Sequence, residues 1–285
     1  SNHKFMLASD ALTLLESDQQ SDDFVTVITI DDAFSSLYEV AWPIFQARNI
    51  PITVFVSTRP IDNQFPGYMY WQQLSELRDA GAEIGSQTIS HPHLPLLGTE
   101  DQRHELLRSR TRLQEMTGGE INLLAYPYGE ASQAIFDLAQ AAGYNAAFGQ
   151  HSGGLNAQSL RSYSRHYLPR FPVNETYGDM DVFPVRARAS GLALQGFSPA
   201  DPLITDTGAH VLRFSLPENH TDTRRLACYF SSIGQVPITY DDAKRGTIAL
   251  GPEMPLGRSR LNCTWPRTKK QWSWFGYQFY RIPQN

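Results

Sequence analysis

The chain has 285 residues, of which 41% are hydrophobic, and this is enough to bury a sizeable core. Its formal net charge is −5, with acidic and basic residues interspersed, so it lacks the basic stripe that nucleic-acid binding requires. No apolar run is long enough to cross a bilayer, so we expect neither a nucleic-acid partner nor a membrane-spanning segment. Ser1 and Asn2 are typical of a cloning remnant, so any secretion signal or anchor is expected to lie outside this sequence.

Residues 3–23 contain an amphipathic run, which favours a helix on the outside of the fold, and the first clear strand follows it. Residues 25–30 are nearly all β-branched and mostly apolar, which predicts a strand buried on both faces. This strand ends at two adjacent carboxylates, Asp31 and Asp32. Neighbouring side chains of a strand point to opposite faces, so two acids that serve one site must lie where the strand gives way to a loop. An Asp that caps the next helix would explain only one acid, and the pattern favours a functional carboxylate pair.

Strands and helices alternate along the chain after the acid pair. The first helix is predicted over residues 34–45, with a kink at Pro43. The further predicted strands are 52–56, 83–85, 121–125, 144–148 and 166–168, and the further predicted helices are 71–80, 100–117 and 131–142. This alternation indicates βα units and a parallel sheet. Without a GxGxxG or Walker-type loop, it favours a barrel over a dinucleotide-binding sheet.

The pattern changes near residues 197–203. Short β-type runs separated by Pro, Gly, Asn and Asp follow, at residues 211–216, 227–231, 247–250, 261–265 and 274–282. They predict an all-β module with a sandwich as the favoured architecture, so the predicted domains are residues 1–198 and 199–285. The aromatic residues of the last run could stack on sugars, but alternating aromatics in a β module are more often core residues.

The two cysteines of the chain, Cys228 and Cys263, both lie in this module in strand-like surroundings. Neither belongs to a CxxC motif or lies beside a metal-type His, which favours a disulfide between them. Two unconnected core thiols are the alternative. A disulfide would place the protein outside the cytoplasm, either in a periplasm or as a secreted protein.

Unusual residues follow five of the predicted strands. They are the acid pair and residues 87–93, 126–130, 149–153 and 169–172. In a barrel the loops after the strands meet on one rim, where active sites lie. One such loop would mean little, whereas five of them predict a site.

Three motifs in these loops resemble those of the polysaccharide deacetylases, the NodB homology domain of carbohydrate esterase family 4. They are Thr29-Ile30-Asp31-Asp32, similar to a Thr-Phe-Asp-Asp motif, Gln87-Thr88-Ile89-Ser90-His91, similar to a His-Thr/Ser-x-x-His motif, and Ala125-Tyr126-Pro127-Tyr128, similar to an Arg-x-Pro-Tyr motif. The resemblance covers roughly residues 5–195. It implies a deformed (β/α) barrel and metal-assisted removal of acetyl groups from N-acetylated sugars.

The resemblance also implies roles for single residues. Asp31 would be the general base, and Asp32 and His91 would hold a divalent metal, with Zn²⁺ as the predicted ion. The backbone N–H of Tyr128 would stabilise the developing oxyanion. The substrate-binding residues would be Tyr126, Pro127 and Tyr128.

Position 87 departs from the family pattern, which has a metal-binding His where this chain has Gln87. An amide oxygen is a poorer zinc ligand than an imidazole. Three outcomes are open. Gln87 binds the metal through its oxygen, a water takes the place of the missing ligand, or the site holds metal weakly or not at all. His93 is a further candidate ligand, although a residue two positions from His91 more often points away.

Two catalytic positions depart from the family as well. Ala125 replaces the Arg that orients the base, and Arg170 is the candidate substitute, with a surface arginine as the alternative. The late catalytic His of the family has no clear match. His151 and His166 are the candidates for the acid that protonates the leaving amine, and His151 is the one we predict. A solvated or structural histidine is the alternative for each.

The sequence therefore predicts a metal-dependent deacetylase of an N-acetylated, GlcNAc-containing polysaccharide or oligosaccharide, located outside the cytoplasm. One alternative is a catalytically weak or inactive carbohydrate-binding relative of the deacetylases. The other is a hydrolase of a small non-sugar amide, which an enclosed pocket would favour over an open groove.

Overall fold

The structure, a computed structural model, describes residues 3–17, 24–174, 178–206, 208–218, 220, 222–242, 245–251, 254–269 and 271–283. The chain divides into two compact units. Unit 1 comprises Ser1–Pro127 and Asp137–Ala147, and unit 2 comprises Tyr128–Phe136 and Phe148–Asn285. The sequence predicted two consecutive domains that meet near residues 197–203, and this domain boundary stays a prediction.

A sheet of six strands in sequential order, β1-β2-β3-β4-β5-β6, forms the centre of unit 1. The strands are β1 His3–Met6, β2 Phe24–Asp31, β3 Ile52–Val56, β4 Glu83–Ser86, β5 Leu123–Ala125 and β6 Ala146–Phe148. The pairs from β1–β2 to β4–β5 are parallel, so each connection must cross over the sheet. Every residue of β3 is buried. The carboxyl ends of these parallel strands lie at one edge of the sheet, and the acid pair at the end of β2 lies at that edge.

Helices supply the crossover connections. They are α1 Ala8–Glu16, α2 Trp42–Ala47, α3 Thr58–Asp62, α4 Trp71–Asp79, α5 Thr99–Thr117 and α6 Gln133–Ala141. The predicted helices over 71–80, 100–117 and 131–142 are confirmed within two residues. Gly118, with a φ of 71°, ends α5 in the left-handed conformation that favours glycine.

The start of the chain differs from the prediction. The helix expected within residues 3–23 is preceded by strand β1, and residues 18–23 lie outside the described residues. The strand over residues 25–30 was expected to be buried on both faces, and this is wrong because every residue of β2 is half-buried. The reason is the register: β1 pairs with residues 24–27 and β3 with residues 28–31, so each half of β2 has one registered neighbour.

The helix after the acid pair is irregular. A π-helical turn, Leu37–Ala41, leads into α2, and Pro43 lies in the first turn of α2. Proline has no backbone N–H to donate, so the hydrogen-bond pattern of the helix is disturbed here. This agrees with the kink predicted at Pro43. Ile44, one of the apolar residues whose helical spacing predicted this helix, is 51% exposed.

Antiparallel strands dominate unit 2. One sheet has the order β13-β14-β10-β8, and the other has the order β12-β11-β15-β16-β7, with β9 also paired to β16. The strands are β7 Ser190–Gly191, β8 Gln195–Ser198, β9 Leu203–Ile204, β10 Val211–Ser215, β11 Ala227–Phe230, β12 Gly234–Val236, β13 Thr239–Tyr240, β14 Arg245–Ala249, β15 Gly257–Pro266 and β16 Trp272–Arg281. Two short helices, α7 Ala157–Leu160 and α8 Phe183–Ala187, precede them.

The five β runs predicted after residue 203 all coincide with strands, namely β10, β11, β14, β15 and β16. The sandwich arrangement of the two sheets stays a prediction. Phe275, Tyr277 and Phe279 of β16 are buried and contact Phe197, so these aromatics are core residues. The strand predicted over residues 166–168 is a single bridge between Phe148 and Leu168.

Cys228 and Cys263 are directly opposite each other in β11 and β15, and a disulfide joins them. Both residues are fully buried. The predicted bridge is therefore confirmed. Among the described residues, no helix combines the length and the apolar character that a membrane span needs.

Candidate active site

The acid pair lies at a strained turn. Asp31 is the last residue of β2, and the next two residues, Asp32 and Ala33, have φ values of 74° and 56°. Left-handed φ in residues other than glycine costs free energy and is concentrated at functional sites. Both carboxylates are half-buried, so solvent and a ligand can reach them. The turn therefore presents two acids at the carboxyl edge of the sheet of unit 1.

The loop after β4 carries the second motif and shows the same strain. Thr88 and His91 have φ values of 70° and 57°. Two hydrogen bonds fix the start of this loop. The N–H of Gln87 donates to the carbonyl of Val56 (2.8 Å), and the hydroxyl of Ser57 donates to the carbonyl of Gln87 (2.8 Å). Gln87 is 1% exposed, so its amide must find partners inside the protein.

Those partners are Asp32 and His91. The backbone N–H of Asp32 donates to Oε1 of Gln87 (3.1 Å), and Nε2 of Gln87 lies 3.2 Å from Nε2 of His91. Because the Asp32 N–H requires an acceptor, the amide oxygen must face it, and the amide nitrogen then donates to His91. Oδ1 of Asp32 lies 3.6 Å from the same imidazole nitrogen. The structure thus brings together all three predicted metal residues.

The donor atoms of this group fit a metal with two protein ligands. Two ligands bound about 2.1 Å from one ion would lie about 3.0–3.4 Å apart, close to the 3.6 Å between Asp32 Oδ1 and His91 Nε2. Gln87 does not add a third ligand in its present orientation, because its oxygen faces the backbone of Asp32. Within the described ranges, no cluster of three His, Cys, Asp or Glu side chains could hold an ion. His93 is exposed, and its role as a ligand stays a prediction.

Glu105 of α5 positions the His91 loop, and the sequence reasoning missed it. Its Oε2 accepts hydrogen bonds from the N–H groups of Ile89 (2.8 Å) and Ser90 (2.9 Å), and its Oε1 accepts one from the hydroxyl of Ser90 (2.6 Å). The residue is only 7% exposed. The sequence carried no signal for it, because the helical neighbours at i ± 3 and i ± 4 are all polar: Asp101, Gln102, Arg108 and Ser109.

We expect Glu105→Ala to lower the free energy of unfolding by about 3 kcal/mol, because three partly buried donors lose a charged acceptor that is itself buried. Urea denaturation followed by circular dichroism measures this change. Glu115→Ala, on the exposed side of the same helix, is the matched control and should change stability by less than about 0.5 kcal/mol. Equal stability of the two variants would contradict the role assigned to Glu105.

The third motif spans the two units. Tyr126 and Pro127 are buried in unit 1. In unit 2, Tyr128 has a φ of 59°, and the side-chain amide of Gln278 donates to the carbonyls of Tyr128 (3.0 Å) and Gly129 (2.8 Å). Strand β16 therefore holds the backbone of this loop. The predicted substrate and oxyanion roles of residues 126–128 stay predictions.

His151 lies among the rings of Tyr163, Tyr167 and Tyr277 and is fully buried. Burial first, and then the charges of Arg170 and Arg260, lower the pKa of His151 to about 3. The ring is therefore neutral at pH 7. Its catalytic role, like that of the buried His166, stays a prediction.

Arg170 is tied to the loop that precedes it in unit 2. Its Nε donates to the carbonyl of Gly149 (3.0 Å), and its backbone N–H donates to the carbonyl of His151 (2.9 Å). These two hydrogen bonds restrain the position of the guanidinium group. Its proposed substitution for the missing family arginine at position 125 stays a prediction.

Comparison with known proteins finds similarity over the first part of the chain. Residues 18–147 match the model of the polysaccharide deacetylase family. The putative polysaccharide deacetylase YxkH of Bacillus subtilis is 23% identical over 142 residues, which are 50% of this chain and 50% of that protein. The chain therefore spans about half the length of this curated relative.

Solved structures share the fold. They are the Streptococcus pyogenes deacetylase PplD in complex with acetate (TM-score 0.56, 20% identity, 60% of this chain and 74% of that chain), IcaB from Ammonifex degensii (0.53, 21%, 65% and 81%) and a de-N-acetylase from Aggregatibacter actinomycetemcomitans (0.52, 19%, 61% and 79%). The curled parallel sheet with its helices is thus the predicted deformed (β/α) barrel of the NodB type, and all-β strands follow it. The match over residues 18–147, somewhat less than half of the chain, and this shared fold both support the polysaccharide deacetylase family for that part of the chain.

Proposed function

We propose that this chain removes acetyl groups by hydrolysis from an N-acetylated, GlcNAc-containing polysaccharide, with a divalent cation held by Asp32 and His91. The observation that carries the proposal is the approach of Asp32 Oδ1 and His91 Nε2 to 3.6 Å beside the predicted base. Zn²⁺ is the proposed ion. Two protein ligands leave the other coordination positions to water and to the substrate.

A divalent cation bound here would lower the pKa of the attacking water to about 7 and would polarise the acetamide carbonyl. Asp31, as general base, would accept the proton of the attacking water. Asp31 ends β2 and pairs with Phe55 of β3, so the sheet holds the backbone that carries this carboxylate. We assign the oxyanion to the N–H of Tyr128, because Gln278 holds the carbonyl of the same residue and so restrains its backbone. A neutral His151 has no acidic proton to give, so the proton that Asp31 takes from the water would pass on to the leaving amine.

Binding of the polysaccharide without hydrolysis is a second candidate function, and one observation favours it. The amide nitrogen of Gln87 faces the Nε2 atom of His91, whose lone pair a metal would need. Metal binding must therefore displace this hydrogen bond. A chain that keeps the hydrogen bond would retain the sugar site and lose the hydrolysis.

Gln87→His separates these two functions. We expect the substitution to raise the affinity for Zn²⁺ at least tenfold, because an imidazole replaces an amide as the third ligand. Metal content after dialysis and acetate release from N-acetylglucosamine oligomers are measured for the natural chain and the variant. The exposed Gln72→His variant controls for adventitious binding by an added histidine.

If the natural chain releases acetate and the variant releases it faster, the deacetylase proposal is supported. If only Gln87→His releases acetate, the natural chain is a binding protein. Absence of bound metal and of acetate release in both would remove the hydrolytic function.

We further propose that the protein works outside the cytoplasm, where its polysaccharide partner would be met. The support is the Cys228–Cys263 disulfide, because such bonds persist in oxidising compartments and are rare in the cytosol.

A further inference from the structure

Two aromatic rings lie side by side next to the acid pair. Phe34 follows Asp32 by two residues and is 42% exposed. The ring of Tyr68 lies against it, with 4.8 Å between the ring centroids and 36° between the ring planes. We call Phe34 and Tyr68 the aromatic platform. An exposed apolar surface of this kind, beside polar residues, commonly marks a binding site.

The backbone beneath the aromatic platform is fixed before any ligand arrives. Phe34 and Tyr68 form an antiparallel bridge, in which the N–H of Ser35 donates to the carbonyl of Gly67 (2.8 Å) and the N–H of Met69 donates to the carbonyl of Ala33 (3.0 Å). A rigid surface loses little conformational entropy when a ligand binds to it, so less of the free energy of its contacts is offset by ordering the protein.

The residues next to the platform residues in the bridge are buried. Ala33 and Met69 are 0% and 1% exposed, whereas Phe34 is 42% exposed and Tyr68 is half-buried. Both rings of the platform therefore reach the surface of unit 1.

The aromatic platform also lies close to the candidate active site. Phe34 is two residues from Asp32, and the hydrogen bond from the N–H of Met69 to the carbonyl of Ala33 (3.0 Å) keeps Tyr68 beside the same turn. The exposed rings of Phe65 and Tyr70 lie on the same segment of chain as Tyr68. A ligand that reaches Asp32 from this side would pass over aromatic rings.

We propose that the aromatic platform is a sugar-binding subsite, which stacks on the apolar face of the pyranose ring next to the one whose acetamide reaches Asp32. The inference rests on the proposed function. Flat aromatic faces suit the C–H face of a neutral pyranose better than they suit an anionic partner. The phenol of Tyr68 can in addition bond to a sugar hydroxyl. The subsite makes the chain selective for oligomers over single sugars.

Phe34→Ala tests the subsite with two readouts, the dissociation constant for the N-acetylglucosamine pentamer by calorimetry and the kinetics of acetate release from it. We expect Kd and KM to rise about tenfold, with kcat within a factor of two, because stacking contributes to binding and not to chemistry. Phe34→Tyr should restore both constants. Binding of the monosaccharide should change less than twofold, since it does not reach the subsite.

Phe5→Ala is the matched control. Phe5 is 40% exposed, like Phe34, but it pairs with Thr26, which lies roughly 16 Å along β2 from Asp31. Neither Kd nor KM should change in this variant. Thermal unfolding of all the variants checks that the fold is kept.

The outcomes separate the subsite from the proposed function. Acetate release by the natural chain with unchanged KM in Phe34→Ala would overturn the subsite and leave the deacetylase. Binding without acetate release, with the binding lost in Phe34→Ala, would support the subsite and overturn the hydrolysis. If the natural chain neither binds nor hydrolyses the pentamer, both are overturned. Loss of self-association in Phe34→Ala, without a change in sugar binding, would assign the surface to a second copy of the chain and overturn the subsite.

Discussion

Replacement of Asp31 by Asn is expected to lower the turnover of an N-acetylated oligosaccharide about a thousandfold, within the range of about 10²–10⁴ that a general base contributes. Asn has the same shape as Asp but cannot accept the proton of the attacking water. The residue ends β2 and pairs with Phe55 through its backbone, so the substitution leaves the strand in place. The measurement is kcat for acetate release, together with KM, which should stay within about threefold because Asp31 acts in the transition state.

Two variants give this result its meaning. Asp79→Asn, an exposed carboxylate at the end of α4, should leave kcat unchanged. Asp32→Asn should instead lose bound metal, whereas Asp31→Asn keeps it, because Asp32 is the acid whose carboxylate lies 3.6 Å from His91. A fully active Asp31→Asn variant would show that another group takes the proton and would remove Asp31 from the mechanism.

The elements that could be predicted from the sequence are those whose signal is local. The strand predicted over residues 52–56 is found at Ile52–Val56, because an unbroken run of β-branched and aromatic residues strongly favours a strand. Helix α5 ends at Gly118 as predicted, since a left-handed residue there favours glycine. Signals of this kind need no knowledge of the rest of the fold.

The elements that could not be predicted depend on partners distant in sequence. Strand β1 lies within an amphipathic run and becomes a strand only because residues 24–27 offer it a parallel edge. The half-burial of β2 follows from how far β1 and β3 extend along it, which its own apolar pattern does not contain. Burial is a property of the neighbours and not of the residue.

The candidate site divides in the same way. The motif residues Asp32, Gln87 and His91 were found from their resemblance to a family, and the structure brings them together. The orientation of the Gln87 amide was not predictable, because it depends on which backbone N–H lies opposite the side chain. Glu105 was missed since its partners, Ile89 and Ser90, are joined to it only by the packing of α5 against the loop after β4.

Loss of the Cys228–Cys263 disulfide is the second large effect we expect. The bond closes a loop with a sequence separation of 35 residues, and the loop-entropy model assigns it about 4 kcal/mol of the free energy of unfolding. Both cysteines are fully buried between β11 and β15, so reduction also leaves two thiols without their covalent contact. Urea denaturation with and without dithiothreitol should show a midpoint shift that corresponds to this loss.

The double variant Cys228→Ala/Cys263→Ala is the control that isolates the bond. It should unfold at the lower urea concentration of the reduced protein and should no longer respond to dithiothreitol. Thiol titration confirms that reduction is complete. If two free thiols are found and the unfolding midpoint is unchanged, the bond adds nothing to stability. The location outside the cytoplasm would then lose its main support, because a chain that is equally stable when reduced has no need of an oxidising compartment.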